Sequence, residues 1–467
     1  MAQTEGKEND RTAKEKTGGR VTGILVNLCR IVVAVAFIFS GFVKAVDPLG
    51  TQYKIADYLT AAGLGDIVPD WGTLLASVVL SATEFNLGLF LLFAIHRRTV
   101  SKLIVAFMAV MTVVTLWLWV ANPISDCGCF GDAIHLSNGQ TLAKNLVLTA
   151  CALVVAWRPL CMVRFISESN QWIVINYSAL FILAVSVWSL YTLPLFDFRP
   201  YHIGANIRQE MEIPEGETGP QFETTFIMEK NGEQREFTLD DYPDSTWTFV
   251  DSKTVQTAEG FVPPIHDFSI ERMDTGDDIT DEVIDNEDYT FLLVAPRLDK
   301  ASDNNFGIID ELCEYAHEHG YTFLALTASG EEAIERWREL TGAEYDFCFT
   351  DQTTLKTIIR SNPGLMLIKK GTVIRKWSHN QLPHLSPEEA AKPLEQLEIG
   401  HMPKDGVAQK LAFVTLWFAL PLFLLTLADR LWAWSKWLRK KSRKKKKETS
   451  AKQQPDNNNP INKLSEQ

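Results

Sequence analysis

The sequence predicts an α-helical transmembrane bundle joined to an α/β domain, and three observations carry this prediction. The long segment 197–408 is acidic, with 42 Asp and Glu residues against 18 Lys and Arg. From residue 288 onward, short apolar runs alternate with amphipathic helical patterns, which is typical of an α/β domain. Elsewhere there are apolar runs long enough to cross a bilayer, which takes about 20 residues. These runs are 21–46, 71–95, 103–121, 141–157, 172–195 and 407–428.

The positions of lysine and arginine predict how the six spans are oriented. Basic residues flank the spans at Lys7, Arg11, Lys14, Lys16, Arg20, Arg97, Arg98, Lys102, Arg158, Arg164 and along 439–447. With six spans these groups share one side, and the positive-inside rule makes that side cytoplasmic. We therefore expect a multi-pass inner (cytoplasmic) membrane protein with both termini in the cytoplasm and residues 197–408 periplasmic or extracellular. The first span shows no convincing cleavage site and is expected to be a signal anchor.

The charge distribution restricts the partners. Segment 197–408 has a net charge of −24, so the remainder of the chain carries +11. An acidic domain repels phosphates, so we expect no nucleic acid binding there. The basic tail is interpreted as an anchor that faces anionic lipid, with RNA contact as the alternative. The expected partners are the lipid bilayer and an exported protein.

Two cysteines lie close together in the polar loop 122–132, between the third and fourth apolar runs. Cys127 and Cys129 are separated by one glycine, on the side where disulfides persist. A redox-active pair, a structural pair that shapes the loop, and a metal half-site are the three interpretations. A half-site needs two more nitrogen or sulfur ligands, and only His135 is near in sequence. A Cys-x-Cys ring is strained, and strain makes a disulfide easier to reduce.

Two ionisable residues fall within the apolar runs. Glu84 lies in the second run, where a carboxylate costs about 2.5–3.5 kcal/mol. It is either a proton- or quinone-facing group or the partner of an interhelical hydrogen bond to Thr112 or Thr115. Lys44 lies near the outer end of the first run. The predicted boundaries place Glu84 roughly 20 Å below the outer surface, so pairing with Lys44 requires a shifted helix. Beyond the quinone hypothesis no cofactor is evident, and no metal site is expected.

These residues carry a family resemblance. The pattern Ser40-Gly-x-x-Lys44-x-x-Asp47-Pro48, then Glu84-x-x-x-Gly88, then Cys127-Gly-Cys129-Phe-Gly131 resembles the MauE branch of the DoxX-like membrane proteins. The resemblance covers about residues 20–160. It implies a four-helix membrane protein of methylamine utilisation and redox maturation that helps to form or isomerise disulfides in an exported dehydrogenase. Cys127 and Cys129 are then the catalytic pair. The chain departs from that family after residue 165, which leaves methylamine open as the substrate.

The acidic segment divides into a β-rich linker region, 197–286, and an α/β domain, 287–400. Runs at 222–230 and 234–239 flank Asn231-Gly232, which predicts a β-hairpin. In the α/β domain we predict helices at 304–320 and 331–341. The predicted strands are 289–295, 321–327, 347–349, 364–369 and 373–377.

The α/β pattern resembles the thioredoxin-like fold of the membrane-anchored TlpA type, in which Pro363 would be cis. That family carries a dithiol after the first strand, near 297–303, and no cysteine is present there. Because thiol chemistry needs a thiolate at that helix N-terminus, we expect this domain to bind a partner rather than to catalyse. Cys313 and Cys348 are either a structural disulfide or two separate buried thiols.

Three functions follow from the sequence. The first is thiol–disulfide exchange or maturation of exported proteins, which makes the chain a candidate thiol–disulfide oxidoreductase. The second is a non-enzymatic membrane scaffold whose acidic domain binds a partner, and the third is a transporter. The remaining segments are predicted as disordered termini at 1–20 and 433–467, the four-helix membrane domain 21–165, a fifth helix within 166–196 and a sixth within 405–432.

Overall fold

A computed structural model describes residues 2–65, 67–123, 127–230, 233–238, 246–258, 260–404 and 406–452. The chain forms two compact units. One unit is helical and combines Met1–Val187 with Asp405–Gln467, and the other is Trp188–Lys404.

The described residues contain six helices long and apolar enough to cross a membrane, as the sequence predicts. The sixth of these spans is Val407–Arg443, and the other five lie in the first part of the chain. A short additional helix, which the sequence analysis missed, follows the first span. The helices of this part are α1 (Ala2–Val46), α2 (Pro48–Ala61), α3 (Asp70–Phe93), α4 (Arg97–Ala121), α5 (Asn138–Trp157) and α6 (Gln171–Tyr191).

Asp47-Pro48 explains why a helix stops and another starts at the same point. Proline disfavours helix in the preceding residue, which ends α1. Pro48 then occupies the first turn of α2, and Asp47 accepts a hydrogen bond from Gly50 N at 2.9 Å as the N-cap.

Helices α1 and α3 pack very closely, because glycines remove side chains where the two backbones meet. A Cβ atom on Gly41 would lie 2.4 Å from the backbone nitrogen of Phe85. A Cβ atom on Gly88 would lie 2.8 Å from the backbone nitrogen of Ile38. Small residues at such contacts are the usual way in which membrane helices approach each other.

The first turns of α3 lie beside α2 rather than beside α1. Ser77 Oγ donates to the carbonyl oxygen of Pro48 at 2.7 Å, and Gln52 Nε2 donates to that of Asp70 at 3.0 Å. The beginning of α3 therefore extends past the end of α1. This offset brings the middle of α3 level with the last turns of α1.

Unit Trp188–Lys404 contains two sheets. Its first elements are α7 (Ile207–Met211), β1 (Gln221–Lys230), β2 (Glu233–Phe237), β3 (Thr248–Ala258), β4 (Glu271–Arg272), α8 (Thr280–Ile284) and β5 (Tyr289–Ala295). The elements that follow are α9 (Phe306–Glu318), β6 (Thr322–Thr327), α10 (Glu331–Thr341), β7 (Asp346–Phe349), α11 (Gln352–Ile358), β8 (Gly364–Lys369), β9 (Thr372–Ser378) and α12 (Pro387–Ala390). The last helix of the chain is α13 (Val407–Lys452).

The larger sheet has the order β4-β7-β6-β5-β8-β9. Strands β5, β6 and β7 are parallel, while β8 and β9 run antiparallel to them. The predicted helices and strands of this region are confirmed, with ends that move by two residues or fewer. The Asn362–Pro363 peptide bond is cis, as predicted.

Alternation along the buried strands gives the sheet a core on each face. Phe291 and Leu293 of β5 contribute to one core together with α9 and α10. Leu292 and Val294 contribute to the other core together with α8 and α11. The sheet is therefore covered by helices on both faces.

The smaller sheet has the order β2-β1-β3 and is antiparallel. The predicted hairpin is confirmed by the pairing of β1 with β2, and its Asn231-Gly232 turn lies outside the described residues. Strand β3 pairs with the other side of β1.

At both ends the described helices continue into segments where the sequence predicts disorder. Helix α1 begins at Ala2 and α13 continues to Lys452. Both extensions are rich in Lys, Glu, Arg or Ala, which are strong helix formers, and each continues a helix already nucleated in an apolar span. Residues 453–467 lie outside the described part of the chain.

Candidate functional site

Lys44 and Glu84 form a buried ion pair between α1 and α3. Lys44 Nζ lies 2.7 Å from Glu84 Oε2, and the two side chains are only 5 % and 4 % exposed. The sequence indicated that this pair requires a shifted helix, and the offset of α3 past the end of α1 provides that shift. The alternative partners of Glu84 are occupied elsewhere: Thr112 hydrogen-bonds Thr149, and Thr115 accepts from Asn145.

The ion pair holds the backbone of the cysteine loop. Lys44 Nζ donates to the carbonyl oxygen of Cys129 at 2.9 Å and to Ser40 Oγ at 2.7 Å. Ser40 Oγ lies 2.7 Å from Glu84 Oε2 and 2.8 Å from the Cys129 carbonyl oxygen. The Ser40 hydroxyl has one proton, which it donates either to Glu84 Oε2 or to the Cys129 carbonyl oxygen. Lys44 and Ser40 of α1 thus fasten the peptide bond that follows Cys129, and Glu84 of α3 binds both of these side chains.

The loop itself depends on two glycines with left-handed backbone. Gly128 has φ +60° and Gly131 has φ +54°, a region that glycine adopts without a steric penalty. A Cβ atom on Gly128 would also lie 3.2 Å from Cγ of Lys54 on α2. This explains the glycines of the Cys-Gly-Cys-Phe-Gly motif, because each turns the chain tightly beside a helix.

The two sulfur atoms lie 2.8 Å apart. A disulfide bond would place them at about 2.05 Å, so the structure holds two thiols in close contact. Cys127 is 6 % exposed and Cys129 is 8 % exposed. The sulfurs are close, as a redox-active pair requires, and both are buried.

The hydrogen bond between the two thiols makes them unequal. The hydrogen bond with Cys129, together with burial, raises the pKa of the Cys127 thiol above its usual value. The same hydrogen bond lowers the pKa of Cys129, against the effect of burial. Lys144 and then Lys44 lower the pKa of Cys129 further through their charge. Two such thiols titrate as one coupled pair.

Tyr58 of α2 hydrogen-bonds Cys127, the other cysteine of the pair. Its hydroxyl donates to the carbonyl oxygen of Cys127 and also lies within hydrogen-bonding reach of the Cys127 sulfur. Leu118 and Met111 of α4 pack against the same side of the pair. The pair therefore has a polar contact from α2 and an apolar wall from α4.

A small half-open cavity of about 30 Å³, which is room for one or two water molecules, reaches Cys129. Its polar lining consists of Ser40, Lys44, Glu84, Lys144 and Asn145, and the wall is otherwise mainly apolar.

Lys144 is a cavity residue that was not proposed from the sequence. Its ammonium group lies 4.1 Å from the centre of the Phe130 ring, a cation–π contact. Phe130 also packs edge-on against Phe39 of α1, with ring centres 5.4 Å apart. Lys144 is six residues into α5, and only its position in the span, close to the cysteine loop, would have pointed to it. Ser40 and Tyr58 were likewise not proposed as site residues.

The other cysteines lie apart from this site. Cys313 is in the core on one face of the larger sheet and Cys348 is in the core on the opposite face, so they do not form the structural pair. Because neighbouring residues of a strand face opposite sides of the sheet, Cys348 of β7 lies on the face opposite to the one that α9 covers. Cys29 and Cys151 meet between α1 and α5. Among the described residues, no group of three or more His, Cys, Asp or Glu side chains could hold a metal ion.

The segment 297–303, where a thioredoxin-like domain would carry its dithiol, lies against the cis proline. Ser302 N donates to the carbonyl oxygen of Asn362 at 2.9 Å, and Asn362 Nδ2 donates to that of Arg297 at 2.7 Å. Ser361 Oγ lies 2.9 Å from His379 Nδ1. Burial keeps the pKa of His379 below its usual value.

The same unit contains a buried cluster of charges. Asp197 lies 2.8 Å from Lys376 Nζ and 2.7 Å from Arg199 Nε. Burial acts to raise the pKa of Asp197, and the two neighbouring cations outweigh it and hold that pKa well below its usual range. Burial lowers the pKa of Lys376 to about 8, although Asp197 acts in the opposite direction.

Comparisons with known proteins bear on two segments of the chain. Residues 22–158 match the family model of the methylamine utilisation protein MauE. This match spans the apolar part of α1 through α5 and contains every residue of the cysteine site, so this segment is a MauE-like membrane protein. Residues 222–259 match a domain of unknown function (DUF8463), which nearly coincides with the three-stranded sheet. No curated protein matches the chain.

Proposed function

We propose that the MauE-like segment is a thiol–disulfide exchange module that forms or rearranges disulfides in exported proteins through Cys127 and Cys129. The observation that carries this proposal is the contact between the two sulfurs at 2.8 Å, in a loop fastened by Lys44, Ser40 and Glu84. A loop tied at the Cys129 peptide supports a pair that keeps its geometry while bonds are made and broken.

In the proposed exchange, the cysteine pair reacts with a disulfide of the substrate protein. A thiolate of the pair attacks one sulfur of that disulfide, a mixed disulfide forms, and the other protein sulfur leaves as a thiolate that takes up a proton. The second cysteine then loses its proton and attacks the mixed disulfide. The pair ends as a disulfide and the protein substrate as a dithiol. The reverse sequence delivers a disulfide to the substrate.

The direction of the spans supports an external substrate. The basic residues fall on the side of the spans opposite to the cysteine loop, so the positive-inside rule places that loop outside the cytoplasm. Both termini are then cytoplasmic and residues 197–408 are periplasmic or extracellular. Disulfides persist in such compartments.

The α/β domain is proposed as a docking module of thioredoxin-like fold. The order β6-β5-β8-β9, in which β8 and β9 run antiparallel to their neighbours, supports this assignment. Segment 297–303 carries no cysteine, so the domain contributes no thiol there. Its acidic surface favours a basic exported partner. Methylamine metabolism is one setting for that partner.

The burial of both sulfurs favours a second candidate function, a membrane scaffold in which the pair only shapes the loop. A redox titration separates the two. Purified protein is equilibrated in dithiothreitol or glutathione buffers of graded potential and then alkylated. The mass of the peptide that contains Cys127 and Cys129 is measured by mass spectrometry. Exchange predicts a reversible two-electron transition between dithiol and disulfide, whereas a pair that keeps one state across the series supports the scaffold.

A further inference from the structure

Resting on the proposed exchange, we infer that Cys129 is the sulfur that attacks the substrate and that Lys144 is the positioning residue that stabilises its thiolate. The two cysteines differ in their surroundings. Cys129 lines the half-open cavity, while Cys127 is packed between Tyr58 and the apolar wall of α4. A substrate sulfur that enters the cavity therefore meets Cys129 first.

The cavity contains two lysines, which differ in whether a carboxylate neutralises their charge. Lys44 is neutralised by Glu84 at 2.7 Å and donates to the Cys129 carbonyl oxygen. Lys144 makes no ion pair with any residue that the structure describes, and its contact is the face of the Phe130 ring. Lys144 is thus the positive charge in this cavity that lacks a carboxylate. A thiolate at Cys129 supplies the missing negative charge.

The ionisable groups that act on Cys129 are Lys44 on α1, Glu84 on α3, Lys144 on α5 and Cys127 in the loop. On α2, Tyr58 contacts Cys127 and Lys54 lies beside Gly128. The residues that α4 places against the pair are apolar. Burial raises the pKa of the Cys129 thiol, and Lys144 is the cation that opposes this most strongly. A positive charge close to a thiol also activates cysteine in other settings.

The test measures the thiolate directly, in a Cys127→Ser background that keeps a hydroxyl group next to Cys129. The protein is reconstituted in phospholipid nanodiscs and alkylated with iodoacetamide from pH 5.5 to 9.5, and the rate at Cys129 is followed by peptide mass. Lys144→Gln should move the midpoint of the rate profile to higher pH and slow alkylation at pH 7 by about tenfold. Lys144→Arg should restore the parent profile.

The matched control is Lys102→Gln. Lys102 lies at the start of α4, about 28 Å along the helix from its end next to the cysteine loop, so this variant should keep the parent profile. A Lys144→Gln profile that coincides with the parent overturns the inference, and so does a Cys129 that reacts at no pH in the folded parent. If Lys144→Gln fails to fold, Lys144→Met, which keeps much of the stem packing, replaces it with the same expected shift.

The two proposals fail separately. If the profile does not move while the redox titration still shows a reversible pair, exchange stands and the role of Lys144 is wrong. If the profile moves as expected while the pair never cycles, Lys144 stabilises the thiolate and the exchange function is wrong.

Discussion

The ion pair between Lys44 and Glu84 offers the sharpest energetic prediction. At 2.7 Å and an effective dielectric constant of about 20, the Coulomb attraction is roughly 6 kcal/mol before desolvation is subtracted. Desolvation costs several kcal/mol per ion, so the intact pair contributes little net stability. Removing one partner strands the other charge in a buried site, and we expect Glu84→Gln or Lys44→Met each to cost about 3–5 kcal/mol.

The double variant should be much less damaging than the sum of the single ones. Lys44→Met with Glu84→Gln removes both charges, so no uncompensated ion stays in the bundle. The assay is unfolding of the purified protein in mixed micelles of increasing SDS content, followed by tryptophan fluorescence. Glu168→Gln is the control, because its pair with Arg164 is exposed and should be worth at most about 1 kcal/mol. Additive losses in the double variant, or a Glu84→Gln loss no larger than that of the control, would refute the reasoning.

Three further outcomes are expected. Gly88→Val should lower the free energy of unfolding by about 1–3 kcal/mol in the same assay, because its Cβ atom would lie 2.8 Å from the α1 backbone. The control Gly23→Ala, which has open space around it, should be neutral or slightly stabilising. Asp197→Asn should cost about 3–5 kcal/mol, since it strands the buried Lys376, and thermal proteolysis should show unit Trp188–Lys404 melting earlier. Because the pKa of Asp197 is depressed, the wild-type unit should keep this contribution at neutral pH and lose it as the pH falls below the usual aspartate range. Cys161 should stay unlabelled by membrane-impermeant thiol reagents applied from outside intact cells, and its labelling would invert the proposed topology.

Much of the architecture could be predicted because single-residue patterns carry it. The spans follow from unbroken apolar runs, and β5 and β8 follow from short buried runs that turn residues delimit. The match of β5 to its predicted bounds, Tyr289–Ala295, is an example. The DoxX-like part of the resemblance and the thioredoxin-like assignment stay predictions.

The site needed information that a linear pattern does not contain. The pairing of Lys44 with Glu84 depends on the offset between α1 and α3, which is set by the packing of Ser77 against α2. Lys144 appears in the sequence as an ordinary lysine near a span end, where it would be expected to reach toward the headgroups. Only the fold of the cysteine loop brings it to the cavity.

The most direct test of the central claim is to trap a substrate on Cys129 in living cells. With Cys127→Ser, the attacking cysteine can form a mixed disulfide that no second thiol of the pair resolves. After acid quenching and alkylation, non-reducing gels and mass spectrometry should show adducts with exported proteins that disappear on reduction. The double Cys127→Ser, Cys129→Ser variant should show none. If neither Cys127→Ser nor Cys129→Ser captures a protein while both variants reach the wild-type level in the membrane, the pair is structural and the scaffold function is the correct one.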